Sequence, residues 1–232
     1  MANMWADIAL ILGAYFLGSL PHLSALAKLR GIHLEGDLHI SLWREGGRLI
    51  GVIGILIEFI KGIIPILVGK GLGFDLFIIA LAGLAAVSGQ MWPIFTRFDG
   101  EKGNSIGLAM AGALAPIALF IALVPIAIGT VIRAVPCLLD TSQSLNERLK
   151  FSEPSNRSRP RSMPLAMALG FLVLPIANWW WGEPLAITSA LFALFILIMV
   201  RRLTAGLRDD LKLNADVKGI LINRLLYDRS YR

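Results

Sequence analysis

Long apolar runs separated by short polar breaks organise this sequence. They extend from about Trp5 to Ala27, Leu49 to Val68, Phe74 to Phe95, Ser105 to Ile132, Pro164 to Trp181 and Leu185 to Val200. Most match the roughly 17–25 residues that a helix needs to cross a bilayer, so the pattern predicts an all-α integral membrane protein. The fourth run is too long for one simple span. It continues to Leu139 with Pro116, Pro125 and Gly129 inside it, and only Arg133 interrupts it. It reads as one tilted helix or as two short segments.

Basic residues decide between these. They cluster in Lys28 to Arg48, at Arg97 and Lys102, in Arg133 to Arg161 and from Arg201 to Arg232, whereas the links at Lys70–Asp75 and Trp181–Pro184 are poor in bases. Basic segments tend to remain cytoplasmic. Met1 to Asp7 carries no Lys or Arg, so the positive region of a cleavable signal is missing and the N-terminus is expected outside. From that start, all the basic segments share one side only if the fourth run holds two segments. The expectation is therefore about seven membrane helices, with a break between Pro116 and Pro125.

Composition agrees with this pattern. The 232 residues are 56% hydrophobic and 16% charged, with mean hydropathy +0.70, against about 25% charged in soluble domains. That length accommodates six or seven spans and no second folded unit, giving residues 1–232 as one polytopic domain. A polar Ser/Pro/Arg-rich loop at about 138–163 is expected to be mobile, and a basic tail at 201–232 to lie in the membrane interface. Net charge is +6 with a pI near 9.8. The bases lie between apolar runs, so they fit anionic headgroups and topology, and no nucleic-acid partner is expected. Trp179, Trp180 and Trp181 beside Gly182 read as an interfacial belt. The single cysteine, Cys137, excludes an intramolecular disulfide.

Candidate chemistry is sparse. There is no P-loop, dinucleotide fingerprint or serine nucleophile elbow. The spacing of His22, His33 and His39 matches no metal-ligand pattern, so no metal and no cofactor are expected. Three segments stand out. Gly18-Ser19-Leu20-Pro21 breaks the first span and frees backbone groups that lipid cannot satisfy; a packing kink is the alternative. Gly89 to Ser105 ends a span in Trp92-Pro93 and places Lys102 between Gly100 and Gly103 at the start of the next helix. Glycine backbone, a helix N-terminus and a lysine together can cradle a phosphate; a plain turn with a topological lysine is the alternative. Lys218 to Leu226 forms a short amphipathic stretch carrying Arg224. Glu58 and Lys61 add an i, i+3 pair within the second span.

These segments resemble those of the PlsY family, the bacterial acyl-phosphate-dependent glycerol-3-phosphate acyltransferases. Gly18-Ser19-Leu20-Pro21 with Lys28 and Gly31-Ile32 is similar to the family's opening motif. Glu58-Phe59-Ile60-Lys61-Gly62 is similar to its Asp-x-x-Lys-Gly. Gly89 to Gly103 is similar to its Gly-His-x-x-Pro-x-Phe-x-x-Phe-x-Gly-Gly-Lys-Gly, and this is the most specific match. The spacing of Lys218 to Leu226 is similar to that of the closing motif. The departures are a shortened loop at Glu35 to Arg44 that carries acids in place of glycines, Gln90 at the position of His, Glu101 at that of Gly, and Lys218 and Leu221 at those of His and Asn.

The resemblance implies a seven-span fold and transfer of a fatty acyl group from acyl phosphate to glycerol-3-phosphate, giving lysophosphatidic acid at the inner membrane. It implies catalytic roles for Ser19, Lys102 and Arg224, and contacts to phosphate or acyl phosphate from Gly100, Gly103, Asn104, Arg44 and Lys218. The motifs and the C-terminus would be cytoplasmic, with membrane lipids as the surroundings. A divergent paralogue with another acceptor or no activity, and a small transporter, are the alternatives.

Overall fold

The computed structural model describes residues 3–32, 38–139, 162–213 and 216–228. Most of the loop expected to be mobile, and His33, lie outside the described residues. Within them the chain is helical, without strands. Helix α1 (Met4–Ser19) and α2 (His22–Arg30) make up the first apolar run, and the short α3 (Leu38–Gly46) follows. Then come α4 (Arg48–Gly71), α5 (Leu76–Met91), α6 (Asn104–Leu114) and α7 (Pro116–Leu139). The chain continues through α8 (Ser162–Trp180), α9 (Leu185–Thr204), α10 (Leu207–Leu213) and α11 (Val217–Tyr227).

Six of these segments are long and apolar enough to cross a membrane, the first being α1 and α2 together, and α6 is a shorter apolar helix. The fourth run does contain two segments, but its break falls at Ala115, just ahead of the expected range. Ala115 leaves the helical region (φ −141°, ψ 72°) because the ring of Pro116 crowds a helical conformation in the residue before it. Pro116 itself opens α7, where a missing N–H costs nothing. Pro125 and Pro136 lie within a continuous α7.

Helix directions follow from the contacts. In the α7–α8 hairpin, a side chain at Gly129 would meet Ala166, and one at Gly170 would meet Ile126, so the two helices run antiparallel. Lys70 Nζ donates to Ala113 O (2.7 Å) at the end where α6 hands over to α7. At the other end Arg201 meets Asp99, His39 meets Glu101 and Ser162 bonds Gly129 O. The described residues of the segments rich in Lys and Arg therefore gather at one end of the bundle. The exposed tryptophans 179–181 lie at the opposite end, beside a turn in which Asn178 donates to Thr188 Oγ1.

Close packing relies on small residues, as expected where neither helix gains by leaving lipid. Gly18 of α1 rests on the backbone of Ala86 in α5, and Gly89 of α5 rests on that of Tyr15. Gly62 of α4 takes the backbone of Ile106 in α6. A buried core of Ala82, Ala86, Met91, Ile106, Met110, Phe171, Leu191 and Leu194 joins α5, α6, α8 and α9.

Gly18→Leu forces α1 off α5, because its new atoms meet backbone. Overpacking of this kind costs typically 1–3 kcal/mol or more. Gly13→Leu on the same helix meets nothing and is tolerated. Thermal unfolding in detergent should show a lowered Tm for Gly18→Leu alone.

Candidate functional site

The break in the first span is the first wall of the site. With α1 ending at Ser19, Leu20 O takes no helical donor and accepts from His22 N (2.9 Å) across Pro21. Lys61 of α4 adds a second donor (3.0 Å) and also meets His22 Nδ1 (3.3 Å). The carbonyl freed at the break is thus satisfied by the turn and a buried lysine, as apolar surroundings require. Ser19 is buried and donates to Tyr15 O (2.9 Å), while Tyr15 donates to Trp92 O (2.7 Å). Glu58 and Lys61 are linked through His22, whose Nε2 lies 3.8 Å from Glu58, rather than to each other.

The second wall is the loop between α5 and α6. Arg97 and Phe98 both adopt positive φ (56° and 64°), a costly conformation for such side chains. Glu101 N donates to Gln90 O (3.1 Å) and the buried Arg201 of α9 donates to Gly100 O and Glu101 O, with Asp99 Oδ1 at 3.2 Å. The glycines have a packing reason besides any approach to a ligand. A Cβ at Gly100 would strike Gln90 O and Pro93, and Gly103 sits at φ 75° against Met91. Gly103 caps α6 without a side-chain acceptor, so the first-turn N–H groups of α6 have no partner within the helix.

Between these walls lies a cavity of about 520 Å³ at the basic end of the bundle. Gly100, Gly103, Asn104 and Lys102 line it, together with Leu38, His39, Glu58, Gln90, Ser105, Arg201 and Asp228. Glu58 lies ten residues into α4, about 15 Å along its axis from Arg48. Ser19 lines a smaller adjoining cleft with Pro21, His22 and Lys61; the cleft shares Gln90, Gly100 and Glu101 with the main cavity. Lys102 is half-exposed and bonded to Asp228 Oδ2 (2.6 Å), whose other oxygen is 3.6 Å from Arg202 Nε.

Of the other expected residues, Arg224 and Lys218 lie outside the lining. Arg224 is buried: its Nε donates to Asp210 Oδ2 (2.9 Å) and its Nη1 to the carbonyl of Ala205, a residue that does line the cavity. Lys218 is exposed on α11, and Arg44 is on α3 with a side chain outside the described set. In their place come His39, Glu58, Gln90, Glu101, Arg201 and Asp228. His39 Nε2 lies 3.0 Å from Glu58 Oε1 and 2.7 Å from Glu101 Oε2. Burial works against charge on His39, but hydrogen bonds and attraction from Glu101 and Glu58 raise its pKa to about 10. As imidazolium it faces the carboxylates of Glu58 and Glu101, while Arg201 holds Asp99 and both Lys102 and Arg202 hold Asp228, so each carboxylate of the lining has a cationic partner. The departures at Gln90 and Glu101 were the sequence signal for this cluster. Asp228 and Arg201 had none, because each reads as an ordinary charge at a helix end.

Arg224→Ala breaks the buried pair with Asp210, which costs roughly 3–5 kcal/mol. Lys218→Ala, at an exposed position, shifts stability by less than about 0.5 kcal/mol. Denaturation of the two variants in detergent separates a structural arginine from a surface lysine.

Comparison with known proteins places this arrangement. The chain is 40% identical over 123 residues to a glycerol-3-phosphate acyltransferase of Geobacter metallireducens, covering 51% of this chain and 63% of the relative. It is 36% identical over 118 residues to one of Aquifex aeolicus, covering 48% and 62%. The matched stretch thus spans less than two thirds of these relatives. Crystal structures of PlsY, an integral membrane glycerol 3-phosphate acyltransferase, superpose with TM-scores of 0.68 (lysophosphatidic acid form) and 0.66 (glycerol 3-phosphate form). Each superposition is at 24% identity and covers 98% of this chain and 95% of that structure, so the fold is shared along nearly the whole length. The sequence model of one family, described as glycerol-3-phosphate acyltransferase, matches residues 8–138, and this integral membrane protein belongs to that family.

Proposed function

We propose that the protein transfers a fatty acyl group from acyl phosphate to the hydroxyl of glycerol-3-phosphate, forming lysophosphatidic acid for phospholipid synthesis. The observation that carries this reading is the entry to α6. Gly100, Lys102, Gly103 and Asn104 line one cavity, with unpartnered helical N–H groups beside a lysine that reaches its mouth. This is the geometry of an anion site, where partial positive charge from the helix adds to a full charge. The family assignment supports the substrates.

In this reaction the glycerol-phosphate hydroxyl attacks the acyl carbonyl, the bond from acyl carbon to phosphate oxygen breaks, and inorganic phosphate leaves. An acyl phosphate is already activated, so positioning and charge stabilisation suffice. Lys102 must exchange Asp228 for a phosphate oxygen, and Arg201 keeps the loop in shape by holding its carbonyls. Ser19 and Arg224 act on the site from outside the main cavity, through the adjoining cleft and the tail. The basic end of the bundle faces the cytoplasm of a bacterial inner membrane, in keeping with the distribution of Lys and Arg. A second reading, a member with a different acceptor or none, is favoured by Glu58 and Glu101, two carboxylates that line the cavity.

Purified protein should convert acyl phosphate and labelled glycerol-3-phosphate to lysophosphatidic acid. Lys102→Ala removes a charge-assisted contact worth about 1.5–3 kcal/mol, which lowers kcat/KM roughly ten- to a hundred-fold. Asp228→Asn frees the lysine and raises affinity for phosphate-bearing ligands. Folded protein with no product supports the second reading, and an unchanged Lys102→Ala removes the lysine from the site. For topology, a cysteine introduced at Ser155 should resist an impermeant reagent in intact cells; labelling from outside overturns the cytoplasmic assignment.

A further inference from the structure

We infer that His39, Glu58 and Glu101 form a binding site for one divalent transition-metal ion of the Mn2+ or Zn2+ class. The three residues come from α3, α4 and the α5–α6 loop, and their ligand atoms lie within 4.8 Å of one another. His39 Nε2 is 3.0 Å from Glu58 Oε1 and 2.7 Å from Glu101 Oε2. An ion with ligands at about 2.0–2.2 Å sets neighbouring ligand atoms about 3 Å apart, close to the spacing His39 already keeps from each carboxylate.

A second observation points to a cation independently of the spacing. Glu58 is 1% exposed, and its Oε2 has no hydrogen-bond partner among the described residues. Gln90 Nε2 donates to Glu58 Oε1, and this leaves the buried Gln90 Oε1 without a donor too. Two buried oxygens with unused lone pairs, on side chains that bond each other, call for a positive ligand, because an unsatisfied buried acceptor costs about 1–3 kcal/mol. The donor set selects its class. Imidazole nitrogen suits Zn2+ and its neighbours, and carboxylates suit Mn2+ and Mg2+, so a mixed set favours a borderline transition ion.

The ion takes the place of the proton on His39 Nε2 and adds positive charge beside the carboxylates of Glu58 and Glu101. Binding of the ion stands by itself. Its use, holding a phosphate oxygen while Lys102 is engaged by Asp228, rests on the acyl-transfer reading.

The test is titration of the purified full chain with Mn2+, followed by the loss of the free-ion electron paramagnetic resonance signal, with thermal unfolding of each variant as a folding control. The expected result is one saturable site. His39→Ala and Glu101→Gln should each weaken it by at least about tenfold, the lower bound for losing even an outer partner of a metal. Asp209→Asn, an exposed carboxylate on α10 outside the cavity, should leave it unchanged. Absence of saturable one-to-one binding overturns the site, as does equal binding by folded His39→Ala or an equal loss in Asp209→Asn. The two readings separate cleanly. Acyl transfer in the presence of chelator without Mn2+ binding keeps the reaction and removes the ion; Mn2+ binding without transfer does the reverse.

Discussion

Irregular backbone inside an apolar bundle must have its carbonyls satisfied by the protein, and this constraint shapes the whole of the basic end. The break at Leu20 is closed by Lys61, and the loop at Gly100 and Glu101 by Arg201. Arg202 donates to Pro164 O at the start of α8, and Arg224 serves Ala205 O after α9. At the opposite end Lys70 closes Ala113 O, where α6 stops. A cation is the effective donor here because its long apolar stem lies along helices while its head reaches an otherwise unsatisfiable oxygen.

That demand has a consequence for binding. Arginines and lysines committed to carbonyls retain few donors for a ligand. Arg201 and Arg224 are buried and already bonded to loop carbonyls, whereas Lys102, half-exposed at the cavity mouth, is held by a side chain that a phosphate can replace. The proposed anion binding therefore depends on backbone N–H groups at α6 and on one lysine. The cluster of His39 with Glu58 and Glu101 lines the same cavity. The electrostatics of the cavity are a balance between these two neighbours.

Small residues make the arrangement possible. Gly18 and Gly89 bring α1 and α5 together, Gly62 admits α6, and Gly100 lets the loop lie against Gln90. Each contact moves a freed carbonyl within reach of its donor. The helix break, the close crossing and the cation act as one unit, and this explains why Gly-rich and Lys-bearing motifs alternate along the chain.

Much of this was legible in the sequence. Apolar runs and the placement of bases specify the membrane helices and the common end of the basic segments, because hydropathy and helix length are properties of local sequence. The glycine-flanked Lys102 marked the site, and its position at the start of a helix follows from Pro93 and the glycines. The break in the fourth run was displaced by a residue because the ring of Pro116 acts on the residue before it. Other assignments needed the tertiary structure. Arg224 and Lys102 are both cations in motif-like segments, yet one is buried on Asp210 and the other reaches the cavity. His39, Glu58 and Glu101 show no common spacing, and only the packing of α3 against α4 and of the loop against both brings them within bonding distance. Local sequence fixes which segments leave water, because that depends on the solvation of each residue alone. Which charges face one another depends on contacts between segments far apart in the chain, and only the folded arrangement decides these.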